Sequence, residues 1–366
     1  MTEYAFIDRA DEAAALARDW AGISRLAVDT EFVRERTYRA QLCLVQVSDG
    51  ERIACLDTLA LGGVGPFAEL LLDPDVRKIF HSARQDLEVL NEHLGGVPGP
   101  VWDTQVAAAM LGYPDQVGYT QLTGQALDVS LPKDHARTDW SRRPLSQDQL
   151  EYAAADVEWL LPLADHLEEA LRDLGRLEWA EAESAALCDP GIYAFDAEGA
   201  WRRVKGANQL SGSALARLAA LAGWREEQAR RHDRPRRWIL GDEALLTLAQ
   251  SAPDDHDALA ASQALPASVL RRHGEQLLAL LREAARAEAP ARPLPGRLEP
   301  EQDKLARQLM KRVRTLAEQH RVSAPLLATR KEVEALVRGR RDLPLLSGWR
   351  RELAGAELLA SLEAAS

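Results

Sequence analysis

The sequence predicts an α/β layer fold at the front of the chain and all-α modules behind it. Three observations predict this: short apolar, strand-like runs confined to residues 25–81, helical periodicity from there onward, and two breaks in that periodicity near residues 200 and 290. At 366 residues the chain also exceeds what one hydrophobic core ordinarily organises, which favours two or three domains.

Taken in order, Arg25-Leu-Ala-Val-Asp29 reads as a short buried strand and Gln41-Leu-Cys-Leu-Val-Gln-Val47 as a second. The Asp49-Gly50 dipeptide turns the chain into a third, Arg52-Ile-Ala-Cys-Leu56, so the sheet opens as a meander. Lys78-Ile-Phe-His81 is a further strand. Ser82 and Gln85 stand at capping-box spacing and predict a helix start, with Leu87, Leu90 and Leu94 on its apolar face. Asp103 is placed to cap a helix beginning at Thr104, and Ser146 with Gln149 repeats the capping-box pattern before a longer helix. The stretch 189–207 then interrupts the periodicity. Pro290, Pro293, Pro295 and Gly296 interrupt it again, since a helix interior does not accept that density of proline. The helical segments around these breaks carry amphipathic spacing such as Leu215, Leu218, Leu221 and Leu277, Leu280, Leu281. The expected domains are therefore residues 1–195, 208–288 and 298–366.

The composition is that of an ordinary globular protein, 46% apolar and 28% charged. No apolar run follows a basic start, and no segment reaches the uncharged length of about 18 residues that spans a bilayer, so the reading is cytoplasmic with no membrane contact. Cys43, Cys55 and Cys188 lie far apart without CxxC spacing or a neighbouring histidine, as reduced core thiols do. No P-loop, GxGxxG fingerprint or Ser-His-Asp order appears, and no obligate protein partner is evident. The net charge of −12 is the wrong sign for a protein that grips phosphates over its whole surface. The charge is unevenly divided, however. Residues 1–200 hold 16 Lys and Arg against 36 Asp and Glu, whereas residues 201–366 hold 29 against 21, so a general nucleic-acid grip belongs to the second half.

Three carboxylate elements carry chemistry. Asp29 and Glu31 stand two apart at a strand end, so both project to one face and repel each other unless a cation neutralises them. Taken alone, such a pair also describes a strand end meeting a turn. Asp86 falls in the first turns of the helix after Ser82, where it equally complements the helix dipole. Tyr152 and Asp156 share a helical face at i and i+4, with three alanines between them that leave room for a close neighbour. A core tyrosine beside a solvated aspartate fits that pair equally well.

Together and in this order, the strand Asp-x-Glu, the helical Asp and the helical Tyr-x-x-x-Asp resemble the three exonuclease motifs of the DEDD superfamily, in its tyrosine-bearing DEDDy branch. Asp29-Thr-Glu-Phe-Val-Arg-Glu-Arg-Thr-Tyr38, Trp102-Asp-Thr-Gln105 and Thr138-Asp-Trp-Ser-Arg-Arg-Pro-Leu145 narrow the resemblance to bacterial ribonuclease D over roughly residues 1–190. The segment from Trp224 through Asp233-Arg-Pro to Ile239-Leu-Gly-Asp242 resembles an HRDC domain. The resemblance implies a ribonuclease H-like exonuclease domain whose mixed sheet is flanked by helices, followed by two HRDC-type domains, the second degenerate. It also implies a 3′→5′ exoribonuclease that releases 5′-mononucleotides from RNA 3′ ends, precursor tRNA among them. Two divalent ions, Mg²⁺ or in its place Mn²⁺, would sit on Asp29, Glu31, Asp86 and Asp156, with Tyr152 orienting the nucleophile. Alternatives are a DNA 3′→5′ exonuclease of the same superfamily and a catalytically silent RNA-binding scaffold.

Among basic residues, Lys133, Arg137, Arg142 and Arg143 lie just before the third motif, where they would contact substrate phosphates or pair with Asp134 and Asp139. The densest basic run, Arg230-Arg-His-Asp-Arg-Pro-Arg-Arg237, offers sequence-independent phosphate contacts or a solvated helix end. His81 reads as a structural residue at a strand end.

Overall fold

A six-stranded sheet forms in the N-terminal part of the chain, built from β1 (Ala5–Ile7), β2 (Arg25–Val33), β3 (Gln41–Ser48), β4 (Ile53–Leu56), β5 (Arg77–Phe80) and β6 (Val101–Asp103). The structure is a computed structural model that describes residues 3–131, 138–291 and 298–365. The strand order is β1-β4-β3-β2-β5-β6. β2, β3 and β4 pair antiparallel as the meander predicts, whereas β1–β4, β2–β5 and β5–β6 pair parallel, so the sheet is mixed. The turn between β3 and β4 is held by the Asp49 carboxylate, which accepts from the Glu51 and Arg52 amides at 2.9 and 2.7 Å. Gly50 supplies the positive φ of 96° that the turn needs.

All but the first residue of β3 are buried, the pattern of a strand covered on both faces. The helix Gln147–Glu158 packs across β2, β3 and β4, the helix Arg84–Leu94 against β2 and β3, and the helix Leu160–Asp173 against β2 and β5. Trp20, Trp102 and Trp140 are among the largest fully buried side chains, so these tryptophans anchor packing. Lys78 lies in β5 with no exposed surface, and its ammonium donates to the carbonyls of Asp73 and Gly99 at 2.7 and 2.5 Å. Burial lowers its pKa to about 8.

The described residues group into two compact units. The first contains the chain up to Val33, Gln41–Tyr193 and the segment after the break at 289–297; the second contains Arg34–Ala40 and the residues from Ala194 to that break. In the first, the helices of the C-terminal segment lie against the helices that cover the sheet. Trp349 stacks on Trp179 at 5.4 Å and 14°, and Arg350 forms a forked ion pair with Glu183. Arg176 donates to the His320 carbonyl at 2.5 Å, and the Ser323 amide to the Ala109 carbonyl at 2.7 Å.

In the second unit, the helices Gly212–Arg231, Asp242–Ser251 and Ala267–Ala284 bury Leu215, Leu218, Leu221, Leu248 and Leu277 around Trp201 and Trp224. Each such leucine contributes about 1.5–3 kcal/mol by leaving water. Among the described residues, no helix is long and apolar enough to cross a membrane.

Candidate active site

β2 places Asp29 and Glu31 on one pleat face, and a register shift against β3 falls between Glu31 and Phe32. Such a bulge ends regular pairing and re-aims the side chain next to it. The helix Gln147–Glu158 brings Asp156 to the same place, so that one carboxylate oxygen from each of Asp29, Glu31 and Asp156 lies within 4.8 Å of the others. Its start is fixed by the capping box read from the sequence, in which Ser146 Oγ accepts from the Gln149 amide and Gln149 Oε1 from the Ser146 amide. Ala153, Ala154 and Ala155 are all buried, so their small side chains let the helix approach the sheet closely.

Asp86, on the helix Arg84–Leu94, is buried and lies outside that 4.8 Å group, yet near enough to Asp29 to feel its charge. Thr30 Oγ1 donates to Asp86 Oδ1 at 2.5 Å. The expected Ser82 cap is not what starts this helix. Ser82 has a positive φ of 64°, and the Asp103 carboxylate instead accepts from the Ser82 and Ala83 amides at 3.0 and 2.8 Å. The same carboxylate caps the following helix through the Gln105 and Val106 amides, so backbone donors occupy it.

Neighbouring acids in a partly desolvated place disfavour full ionisation. Burial, then the charge of Asp156, pushes the Asp29 carboxyl well above its ordinary value; burial, then Asp29, does the same to Asp86. Burial and the charges of Asp156, Glu31 and Asp29 push the Tyr152 phenol upward, and it hydrogen-bonds the Asp156 carboxylate. The donor set is hard oxygen throughout, with neither thiolate nor imidazole among the clustered ligands, so these residues fit Mg²⁺ or Mn²⁺. A divalent ion would also neutralise the repulsion that raises these carboxyls.

A family model described as 3′-5′ exonuclease matches residues 4–172, and one for the HRDC domain matches residues 214–281. The chain is 38% identical to the ribonuclease D of Granulibacter bethesdensis over 369 residues, covering 97% of this chain and 91% of that protein. The chain belongs to the ribonuclease D family. It is 39% identical to the ribonuclease D of Pseudomonas paraeruginosa, covering 95% of this chain and 94% of that protein. The crystal structure of Escherichia coli RNase D, described as an exoribonuclease involved in structured RNA processing, matches with a TM-score of 0.85 at 34% identity, covering 100% and 99% of the two chains. As a member of the ribonuclease D family, the protein is an exoribonuclease.

Within this ribonuclease D fold the basic loop before the third motif is divided. Lys133 and Arg137 lie outside the described residues. The Arg142 side chain is 84% exposed, with Asp139 3.4 Å away. Arg143 instead serves the fold, because its guanidinium takes both oxygens of buried Asp57 and the Cys43 and Trp140 carbonyls. This anchors Trp140, whose ring lies 6.2 Å from that of Tyr152.

Three neighbours escaped the sequence reading. Thr30 holds Asp86. Trp140 backs Tyr152. Tyr119 lies close enough to Asp156 and Asp29 that their charges, after burial, push its phenol upward. Thr30 was legible in principle as a hydroxyl between the two acids, whereas Trp140 and Tyr119 come from segments whose approach depends on tertiary packing. His81 is structural: its ring nitrogens contact Thr104 Oγ1 and the Val117 carbonyl, both at 2.9 Å.

Proposed function

We propose that the protein shortens RNA from its 3′ end, releasing 5′-mononucleotides by hydrolysis, with Asp29, Glu31, Asp86 and Asp156 holding two divalent cations. The convergence of Asp29, Glu31 and Asp156 within 4.8 Å carries this reading, because three half-buried carboxylates held that close repel one another unless a cation neutralises them. Asp29, Glu31 and Asp156 would hold one ion, with Asp29 also facing a second ion near Asp86. Bound there, Mg²⁺, or Mn²⁺ in its place, supplies positive charge against the scissile phosphate and lowers the pKa of water.

The chain's own residues supply the geometry. Tyr152 keeps its proton at neutral pH, since its phenol is pushed above the usual value, and therefore orients the attacking water rather than accepting its proton. Thr30 fixes the Asp86 carboxylate. Arg142, with its exposed guanidinium, is the described member of the basic loop open to a substrate phosphate, and Lys133 and Arg137 belong to the same proposal. Residues 1–195 would carry the chemistry, 208–288 an HRDC domain and 298–366 a second, degenerate one. Precursor tRNA in the cytoplasm is the proposed substrate, in keeping with the structured-RNA processing described for the Escherichia coli relative.

A time course on a 3′-tailed RNA labelled at its 5′ end tests this, run beside the matching DNA with Mg²⁺ or EDTA, using wild type and Asp29→Asn. A Mg²⁺-dependent ladder on RNA, weak on DNA and lost in the variant, is the expected result. Equal cleavage of DNA, or binding without cleavage, would overturn it.

A further inference from the structure

The second unit carries three arginines that converge on one cavity and, among the described residues, have no carboxylate partners. Arg39, Phe195, Glu227, Arg230 and Arg231 line a cavity of about 360 Å³, within the range of small-ligand pockets. Among the described residues, Arg39, Arg230 and Arg231 form no ion pair, although many arginines of this chain do, including Arg203, Arg225 and Arg236 of the same unit. Unpaired guanidinia facing a shared space in an acidic protein mark a place for an anion. Glu227 is the one acid in the lining, leaving the positive groups in excess.

An aromatic ring accompanies them. Phe195 is 39% exposed, and the Arg230 guanidinium lies over its ring at 4.3 Å. A ring paired with a guanidinium plane is a surface on which a nucleic-acid base stacks. The backbone beneath Arg39 is pinned as well. The Asp233 carboxylate accepts from both the Tyr38 and Arg39 amides, at 3.1 and 3.0 Å, and the Tyr38 hydroxyl donates to buried Glu226 at 2.6 Å. Tyr38 also lies under Arg236, 4.8 Å from ring centroid to guanidinium carbon. A fixed backbone reduces the ordering cost of a contact made by its side chain.

We propose that this cavity is a binding site for a single-stranded RNA segment, its phosphates held by Arg39, Arg230 and Arg231 and one base stacked against the Phe195–Arg230 pair. The identity of the strand rests on the exoribonuclease reading; the site itself is independent of the carboxylate cluster.

The test is fluorescence anisotropy of a short labelled oligouridylate with the full chain in EDTA, so that no cleavage intervenes, across a series of salt concentrations. Replacing both Arg230 and Arg231 by Ala should weaken binding about tenfold or more and reduce the salt slope by about 1.4, roughly 0.7 for each single-strand phosphate no longer neutralised. Replacing both by Lys should keep the wild-type slope. Phe195→Leu should weaken binding at least about fivefold at unchanged slope, because stacking releases no counterions. Arg271→Ala removes an exposed charge from the same unit and should leave the slope as it is.

Wild-type affinity and slope in the double alanine variant would overturn the proposal. So would a slope reduction in Arg271→Ala equal to that of the double variant, or a double lysine variant with the slope of the alanine one. Failure of the catalytic reading is visible separately, as absence of Mg²⁺-dependent cleavage by wild type.

Discussion

Arg143 closes a fork on Asp57, with Nε 2.6 Å from one carboxylate oxygen and Nη2 2.7 Å from the other. The Asp57 side chain is 4% exposed and that of Arg143 26%, so the pair is shielded from the solvent that makes surface ion pairs weak. Asp57 also accepts from the amides of Leu59 and Ala60, while Arg143 reaches the Cys43 and Trp140 carbonyls. A sheet-end acid thus holds the loop that backs Tyr152.

Asp57→Asn should therefore destabilise the protein by about 2–3 kcal/mol, the cost of leaving a partly buried guanidinium without its charge partner. Burial tends to raise the Asp57 carboxyl, but the hydrogen bonds from Arg143 and the backbone outweigh it and hold the pKa below 3.8. A depressed folded pKa contributes stability above the unfolded value of 3.8 and loses it as pH falls through the folded value. In urea unfolding, the gap between wild type and variant should be full at neutral pH and close as the medium becomes more acidic than pH 3.8. A gap that persists unchanged in strong acid would mean that shape, not charge, is what the asparagine loses.

Asp29→Asn should separate catalysis from stability. Burial and the charge of Asp156 oppose ionisation of Asp29, so removing its charge should leave the metal-free protein as stable as wild type or more so. Activity should nevertheless fall by on the order of 10²–10³ or more, as on loss of other preorganised charge stabilisers. Calorimetry with and without Mg²⁺ gives the check: wild type should gain melting temperature on adding the ion, and the variant should gain less. Equal gains would remove Asp29 from the metal-binding set.

Tyr152→Phe keeps the ring beside Trp140 and deletes the hydroxyl that bonds Asp156. An orienting role predicts a kcat about 10–100-fold lower at nearly unchanged KM, a small share of what general acid–base groups supply. Because the phenol is pushed above its usual 10.0, it stays protonated through neutral and mildly alkaline pH, and the two enzymes should share the shape of their pH–rate profiles there. A wild-type limb in that range that vanishes in the phenylalanine variant would instead make Tyr152 a base.

The carboxylate set was legible because period-2 and i,i+4 geometry are local: Asp29 with Glu31, and Tyr152 with Asp156, face the same way whatever the rest of the fold does. The meander of β2, β3 and β4 was legible for the same reason, its Asp49-Gly50 turn being written in two residues. β1 and β6 were missed because three residues carry no period, and both take their parallel partners from distant sequence. The capping box at Ser82 was misread because Asp103, 20 residues beyond Ala83, supplies the acceptor that the pattern assigned to serine. For Arg143 the sequence offers a phosphate contact or pairing with Asp134 and Asp139, but not its actual partner Asp57, which lies 86 positions away. The break at 289–297 reveals a boundary but not that the following helices return to the first unit, a fact carried by single contacts such as Trp349 on Trp179.

Those contacts make the C-terminal segment a structural part of the first unit. Trp349 is 7% exposed, stacks on Trp179 and donates from Nε1 to Glu183 at 3.1 Å, while Arg350 takes the same carboxylate. Trp349→Ala should cost about 3–4 kcal/mol, combining lost burial with lost stacking. Trp349→Phe should cost less, since a phenyl ring retains most of the stacked surface and loses only the indole donor. Limited proteolysis follows the local consequence: the alanine variant should be cut within residues 298–365 well before the exonuclease-type fold, and the phenylalanine variant more slowly. Simultaneous loss of both regions in one unfolding step would show that the segment and the sheet fold as a single cooperative unit, in which case Trp349→Ala lowers the melting temperature of the catalytic fold itself.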